Sequence, residues 1–323
     1  MDFNFTKAYR KLFGISNGQP VKRNARVSVP MSEPVLSTTQ VTSEELKRLV
    51  QAGMKGQEQR KEQEQTSIKK DECKADASPP DRRAEKEFLK TFKQLTHRHR
   101  AWDVWRDFVI LSACAFSNAV DKQFYDEREK LYMRSIRKYN KEESCLFPEL
   151  LTHMILALER NPEQDFLGTI YMDLHLGNSD GCQFFTPYHV CQLMADITLD
   201  GIMDVVRENG YCSISDTCSG AGATLIAGIN ETKKQLEKEN LNYQNHVLVV
   251  AQEIDFVTGL MCYIQLSLLG VAGYVKIGNS LTDPMRENDD MKNYWFTPVY
   301  FSDVWSTRRC IRSMHELFQS EVK

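Results

Sequence analysis

Apolar positions fall into three regimes along the chain. After a short amphipathic start (Phe3, Phe5, Tyr9, Leu12, Phe13), large apolar side chains thin out. Residues 51–81 almost lack them and are rich in Lys, Glu and Gln. Such a stretch cannot bury enough surface to offset the entropy of ordering it. Thr42-Ser43-Glu44-Glu45 opens at most a detached helix through Met54, and Pro79-Pro80 closes the tail. From Glu85 to about Leu158 the period is helical. Phe88, Phe92 and Leu95 recur at spacings of four and three, followed by Trp102, Trp105, Phe108, Val109, Cys114 and Phe116. A second helix is expected over Asn118–Asn140 and a third over Glu149–Glu159, started by Pro148 and stopped by Asn161-Pro162. The Trp and Phe stripe reads as core, not as a base-stacking surface.

Beyond Thr186-Pro187 a helix runs through Val190, Leu193, Met194 and Ile197, and then strands and helices alternate. Strands are expected at Tyr211–Ser215, Val247–Ala251 and Tyr274–Ile277, and helices at Ala223–Glu237 and Phe256–Leu269. Alternation of this kind implies parallel strands joined by crossovers, with ligands at the strands' carboxyl ends. The predicted organisation is a polar tail over 1–82, a helical domain over 83–164 and an α/β domain over 165–323.

Composition adds limits. A hydrophobic content of 41% in 323 residues supports a real core, and a net charge of −3 leaves any nucleic-acid contact to local patches. Residues 1–30 carry Lys7, Arg10, Lys11, Lys22, Arg23 and Arg26 against the single acid Asp2. This reads first as a solvated tail and second as an arm that follows a phosphate backbone. Nine cysteines show no CxxC pair and no zinc spacing, so reduced thiols acting as small hydrophobes, and no metal, are expected. No signal peptide or membrane-length apolar run occurs, which predicts a soluble, cytoplasmic protein.

The segment Ile214-Ser215-Asp216-Thr217-Cys218-Ser219-Gly220-Ala221-Gly222-Ala223 carries the candidate chemistry. A β-branched run ends at an acid, a small-residue turn follows, and an apolar helix begins. Gly220 and Gly222 let bare backbone approach a ligand. The second strand ends in Glu253 and Asp255, the third in Gly278-Asn279-Ser280. A strand-end acid suits the paired hydroxyls of a ribose, and a polar residue on the third strand suits an adenine edge. The loop lacks the Lys and Ser/Thr of a P-loop and the spacing of a dinucleotide turn. An adenosine ligand without an essential pyrophosphate fits best.

The ordered set Gln183-Phe184-Phe185-Thr186-Pro187, Asp216-x-Cys218-x-Gly220-x-Gly222, Gln252-Glu253-Ile254-Asp255 and Gly278-Asn279-Ser280-Leu281 resembles the N6-adenine DNA methylase family. In particular it looks like the modification subunits of type I restriction–modification systems and their relatives on bacterial mobile elements. The resemblance spans about Glu85 to Tyr300 and is strongest from Asp165 to Leu281. It implies a helical N-terminal domain before a shortened Rossmann-like methyltransferase domain. It also implies S-adenosylmethionine as cofactor and DNA as substrate, with a specificity or restriction subunit as partner. Phe184, Phe185 and Thr186 would line the cofactor. Asp216, Ser219 and Gly220 would hold its methionine end, Glu253 its ribose and Asn279 its adenine, where the family usually has Asp.

The family's catalytic Asn/Asp-Pro-Pro-Tyr/Phe is missing. The nearest candidate is Thr297-Pro298-Val299-Tyr300, in which Thr297 and Pro298 would align the target amino group and Tyr300 would stack on a flipped base. Only 23 residues follow Tyr300, fewer than the rest of a full methyltransferase sheet needs. A catalytically inactive methylase fold, binding cofactor or DNA as a regulator or assembly component, is therefore the alternative. A methyltransferase acting on protein or RNA is a third reading.

Overall fold

A computed structural model describes residues 83–176, 185–286 and 289–321, with side chains described as far as Met314. The expectations for the tail 1–82, for Phe184, and for Cys73 and Cys182 lie outside these residues.

The first part is helical. It comprises α1 (Arg83–Thr96), α2 (Ala101–Val120), α3 (Tyr125–Ile136), α4 (Lys141–Arg160) and α5 (Phe166–Asp173). Phe88, Phe92 and Leu95 of α1 and Trp105, Phe108 and Phe116 of α2 are buried, so the aromatic stripe is core except at Trp102, which is exposed. Two boundaries differ from the expected ones. The helix expected over Asn118–Asn140 is broken, because α2 runs on to Val120 and α3 starts only at Tyr125. The third helix begins eight residues earlier than expected. Asn140 accepts the Glu143 amide at 2.8 Å while the Glu143 carboxylate accepts the Asn140 amide at 3.0 Å, a reciprocal cap that sets the start at Lys141 and leaves Pro148 inside the helix.

After α6 (Tyr188–Thr198) and α7 (Ile202–Asn209) come β1 (Cys212–Asp216), α8 (Ala223–Lys238), the short α9 (Tyr243–His246), β2 (Val247–Glu253), α10 (Phe256–Leu268) and β3 (Ala272–Ile277). These match the expected alternation closely. β4 (Tyr294–Phe296), a 3-10 turn (Pro298–Phe301) and α11 (Asp303–Glu321) end the described chain. The result is a mixed α/β fold around a four-stranded sheet in the order β1-β2-β3-β4. β1, β2 and β3 are parallel, whereas β4 runs antiparallel to β3, with Tyr274 opposite Phe296 and Lys276 opposite Tyr294.

Successive strand residues point to opposite faces, and both faces are covered. Val249 and Val275 pack into the larger core shared with α1, α2, α4, α8 and α10. Leu248 and Tyr274 pack into a smaller aromatic core with Tyr294, Phe296, Tyr300 and Trp305. Arg128 of α3 ties the helices to β4. It is paired with Asp121 at 2.6 Å, donates to the Tyr294 carbonyl at 2.7 Å, and lies 4.4 Å from the Trp295 ring centroid. The desolvation of both buried charges is offset only because each is so fully bonded.

Candidate functional site

Three strand ends converge at the carboxyl edge of the parallel sheet. The Asp216 carboxylate, at the end of β1, accepts the Cys218 amide at 2.9 Å and the Thr224 hydroxyl. These bonds fold the loop back so that α8 starts at Ala223. Gly220 and Gly222 have φ of +54° and +98°, in the left-handed region. A Cβ on Gly222 would stand 2.9 Å from the Cys262 Sγ of α10, so only glycine lets the loop lie this close. A Cβ on Gly220 would stand 3.4 Å from the Phe185 ring. Ser219 is buried, and its amide donates to the Gln252 carbonyl at 3.0 Å.

Glu253 joins the three ends. One carboxylate oxygen accepts the Gly220 amide and the other the Asp255 amide, both at 2.9 Å, while its carbonyl accepts the Gly278 amide at 2.9 Å. The side chain is 8% exposed. It therefore fixes the glycine loop as well as facing it, a structural role that its strand-end position alone does not reveal. Each oxygen keeps a second lone pair for an outside donor. Asp255 serves locally by capping α10 through the Thr258 amide at 2.8 Å.

Asn279 also has a structural role. Its side-chain oxygen accepts the Leu281 and Thr282 amides at 2.9 and 3.2 Å, so it caps a turn. Both lone pairs of that oxygen are engaged, and the amide nitrogen is the group presented outward. An oxygen engaged in this way is not free to pair with an adenine amino group. The turn is anchored from below. Gln252 Nε2 donates to the Gly278 and Asp283 carbonyls at 3.2 and 2.8 Å. Lys276, 2% exposed, reaches Asp283, Asp289 and the Pro284 carbonyl at 2.8–3.0 Å. Beneath the glycine loop, Gln265 donates to Asp165 at 2.8 Å and to the Ala221 carbonyl at 2.9 Å. Burial pushes the Asp165 carboxyl above its ordinary range, against the opposing bonds from Gln265 and Gly168. Burial likewise pushes up the Cys262 thiol, and that of Cys191 to about 11.

Phe185, Asp216, Ser219, Gly220, Gly222, Glu253 and Asn279 thus stand on the three converging ends or directly against them. Thr186, exposed, follows Phe185 just before α6. Ile254 and Leu281 enter the sequence reading only as members of their motifs, with no role of their own. They are 65% and 90% exposed and immediately follow or nearly follow Glu253 and Asn279. The signal was a bulky aliphatic residue beside each polar one, but exposure cannot be read from residue type. The anchoring roles of Gln252 and Gln265 are not legible in the sequence because their partners lie 31 and 100 residues away.

Thr297, Pro298 and Tyr300 are not brought to this edge. Because β4 runs antiparallel to β3, Thr297 pairs with the amino end of β3, its amide donating to the Gly273 carbonyl at 2.9 Å. The Thr297 hydroxyl accepts the Gly273 amide at 3.0 Å and donates to the Val271 carbonyl at 2.7 Å. At 3.3 Å per strand residue, Gly273 lies about 16 Å from Gly278. The Tyr300 ring is buried against Tyr274, Phe296 and Phe301, with the Arg309 guanidinium 4.0 Å from its centroid, so no face is open to a base. The expectation that these residues stand over a transferable methyl is corrected accordingly.

No group of three His, Cys, Asp or Glu side chains able to hold a metal ion occurs among the described residues, and none of the described helices is long and apolar enough to cross a membrane. Searches of curated proteins and of solved structures return no match. The family model for N-6 DNA methylase matches residues 163–320, a span that takes in the glycine loop, Glu253 and Asn279 together with the whole sheet. Over residues 163–320 the chain is therefore similar to the N-6 DNA methylase family, the family that its ordered motifs resemble.

Proposed function

We propose that the chain binds S-adenosylmethionine at the carboxyl edge of β1–β3 and serves methylation of adenine N6 in DNA. Residues 165–323 form a Rossmann-like methyltransferase domain in this reading, and 83–164 a helical domain packed against it. The observation that carries it is the convergence of Gly220, Asp255 and Gly278 on Glu253. The residues fit the group. The glycine loop admits bare backbone, Glu253 retains acceptor capacity for ribose hydroxyls, and Ile254 and Leu281 offer apolar walls to a purine. The Asn279 amide nitrogen suits an acceptor on the purine ring. S-adenosylmethionine supplies an electrophilic methyl group when bound; the chain's own part is to orient it.

A second reading rests on the position of Thr297–Tyr300 at the far edge of the sheet. The chain would then hold cofactor or DNA as a regulator or assembly component, with no turnover of its own. A partner that recognises the target sequence belongs to the first reading, as does a restriction–modification or mobile-element setting. Calorimetry tests the shared core of both: S-adenosylmethionine binds and ATP does not compete. Tight ATP binding with no response to S-adenosylmethionine overturns the proposal.

A further inference from the structure

Outside the matched span, α1 has an unusual surface. Residues 83–100 contain six Lys and Arg against two Glu, in a chain whose net charge is −3. The two acids, Glu85 and Glu87, are half-buried, whereas Lys86, Lys90, Lys93, Gln94 and His97 are exposed. Lys86, Lys90 and Lys93 follow one another at spacings of four and three, which places them on one side of the helix. With Leu89, Gln94 and His97 they line a single shallow depression that contains no acidic side chain. Among the described residues, the only ion pair within the group is a loose one, Lys90 to Glu87 at 3.4 Å on an exposed flank. Pairs of that kind contribute little and exchange readily.

We propose that this face of α1 docks the phosphate backbone of duplex DNA. Three arguments select that occupant. First, no large apolar side chain on α1 is exposed, so nothing on this face would insert into a lipid surface. Second, Lys86 to Lys93 spans about 10 Å of helix at 1.5 Å per residue, about the rise of three nucleotides along the duplex axis at 3.4 Å each, so the row reaches more than one phosphate. Third, exposed lysines without fixed carboxylate partners hold a backbone without reading bases, which is how phosphate contacts position a protein on DNA. The inference rests on the reading of the chain as a DNA-directed methylase. It adds a contact surface on the helical part, separate from the strand-end site.

The test compares the full chain with two triple variants of equal charge change, K86E/K90E/K93E and K130E/K141E/K238E. All six lysines are exposed, so both variants should fold, which circular dichroism and Tm verify. Binding to a short fluorescent duplex is followed by anisotropy across a salt titration. The α1 variant should bind at least tenfold more weakly, and its slope of log K against log salt should flatten by about 0.9 per lost phosphate contact. The control variant should stay within about twofold of wild type. Equal losses in both variants, no loss in either, or no binding by wild type would overturn the inference. So would release from phosphatidylserine vesicles by the α1 variant with its DNA affinity unchanged. Calorimetry with S-adenosylmethionine on the same samples separates this from the methylase reading. If DNA binds through α1 but the cofactor does not bind, the methylase reading falls and the docking surface stands. If the cofactor binds and the α1 variant keeps its DNA affinity, the docking surface alone falls.

Discussion

Because both Glu253 oxygens already accept a backbone amide, Glu253→Ala removes two supports of the site together with the acceptor proposed for a ribose. Affinity for S-adenosylmethionine should fall by about 1.5–3 kcal/mol, the scale of charge-assisted bonds. Tm should fall as well, since two amides lose their partners; an unchanged Tm would show that the loop holds itself. Asp165 gives a pH signature. Its carboxyl is raised in the folded protein, so the folded state holds that proton more tightly than the unfolded chain, whose Asp titrates near about 3.9. Its contribution to stability is therefore greatest in acid and declines as pH rises through the raised value. Asp165→Asn keeps an acceptor for Gln265 and Gly168 and should flatten that dependence in a series of melts against pH. At the opposite edge of the sheet, Thr297→Val strands the Gly273 amide and should cost about 1–3 kcal/mol. Tyr300→Ala should cost about 3 kcal/mol or more by emptying the aromatic core. Neither should alter cofactor affinity of the folded fraction.

The parallel strands and their helices were legible element by element, because β-branched runs of period two alternate with apolar stripes of helical period. β1, α8, β2, α10 and β3 start and end within two residues of the expected positions. The glycine loop and Glu253 were legible for the same reason, as strand-end residues in a repeating unit. Two elements were not. α4 begins at a cap, Asn140 with Glu143, that was overlooked in favour of Pro148. Asn140→Ala should lower stability by about 1 kcal/mol in a denaturant melt, whereas no change would mean that Pro148 sets the boundary after all. β4 is three residues long and carries no alternation that local sequence could reveal. Its direction is fixed by Tyr294 and Phe296 reaching the aromatic core with Tyr274, a contact across twenty residues. That direction decides where Thr297 lies, and so the catalytic reading of Thr297-Pro298-Val299-Tyr300 could not be judged from spacing alone.

Across the whole molecule, one core runs from α1 to Trp295 of β4, and both faces of the sheet are covered within residues 83–321. Deleting residues 1–82, whose composition offers little to a core, should leave the Tm of the remainder unchanged; a fall of several degrees would show that the polar tail packs. The strand order β1-β2-β3-β4 adds every later strand on one side of β1. Among the described residues, the sheet thus flanks the glycine loop on that side alone, whereas α/β ligand crevices usually open between strands where the order reverses. A one-sided berth bears on time as much as on affinity. A ligand held there should leave quickly, so the chain should emerge from gel filtration bare even after incubation with the cofactor. Stopped-flow displacement should then show a fast off-rate that a partner closing the β1 side would slow, with little change in the rate of entry.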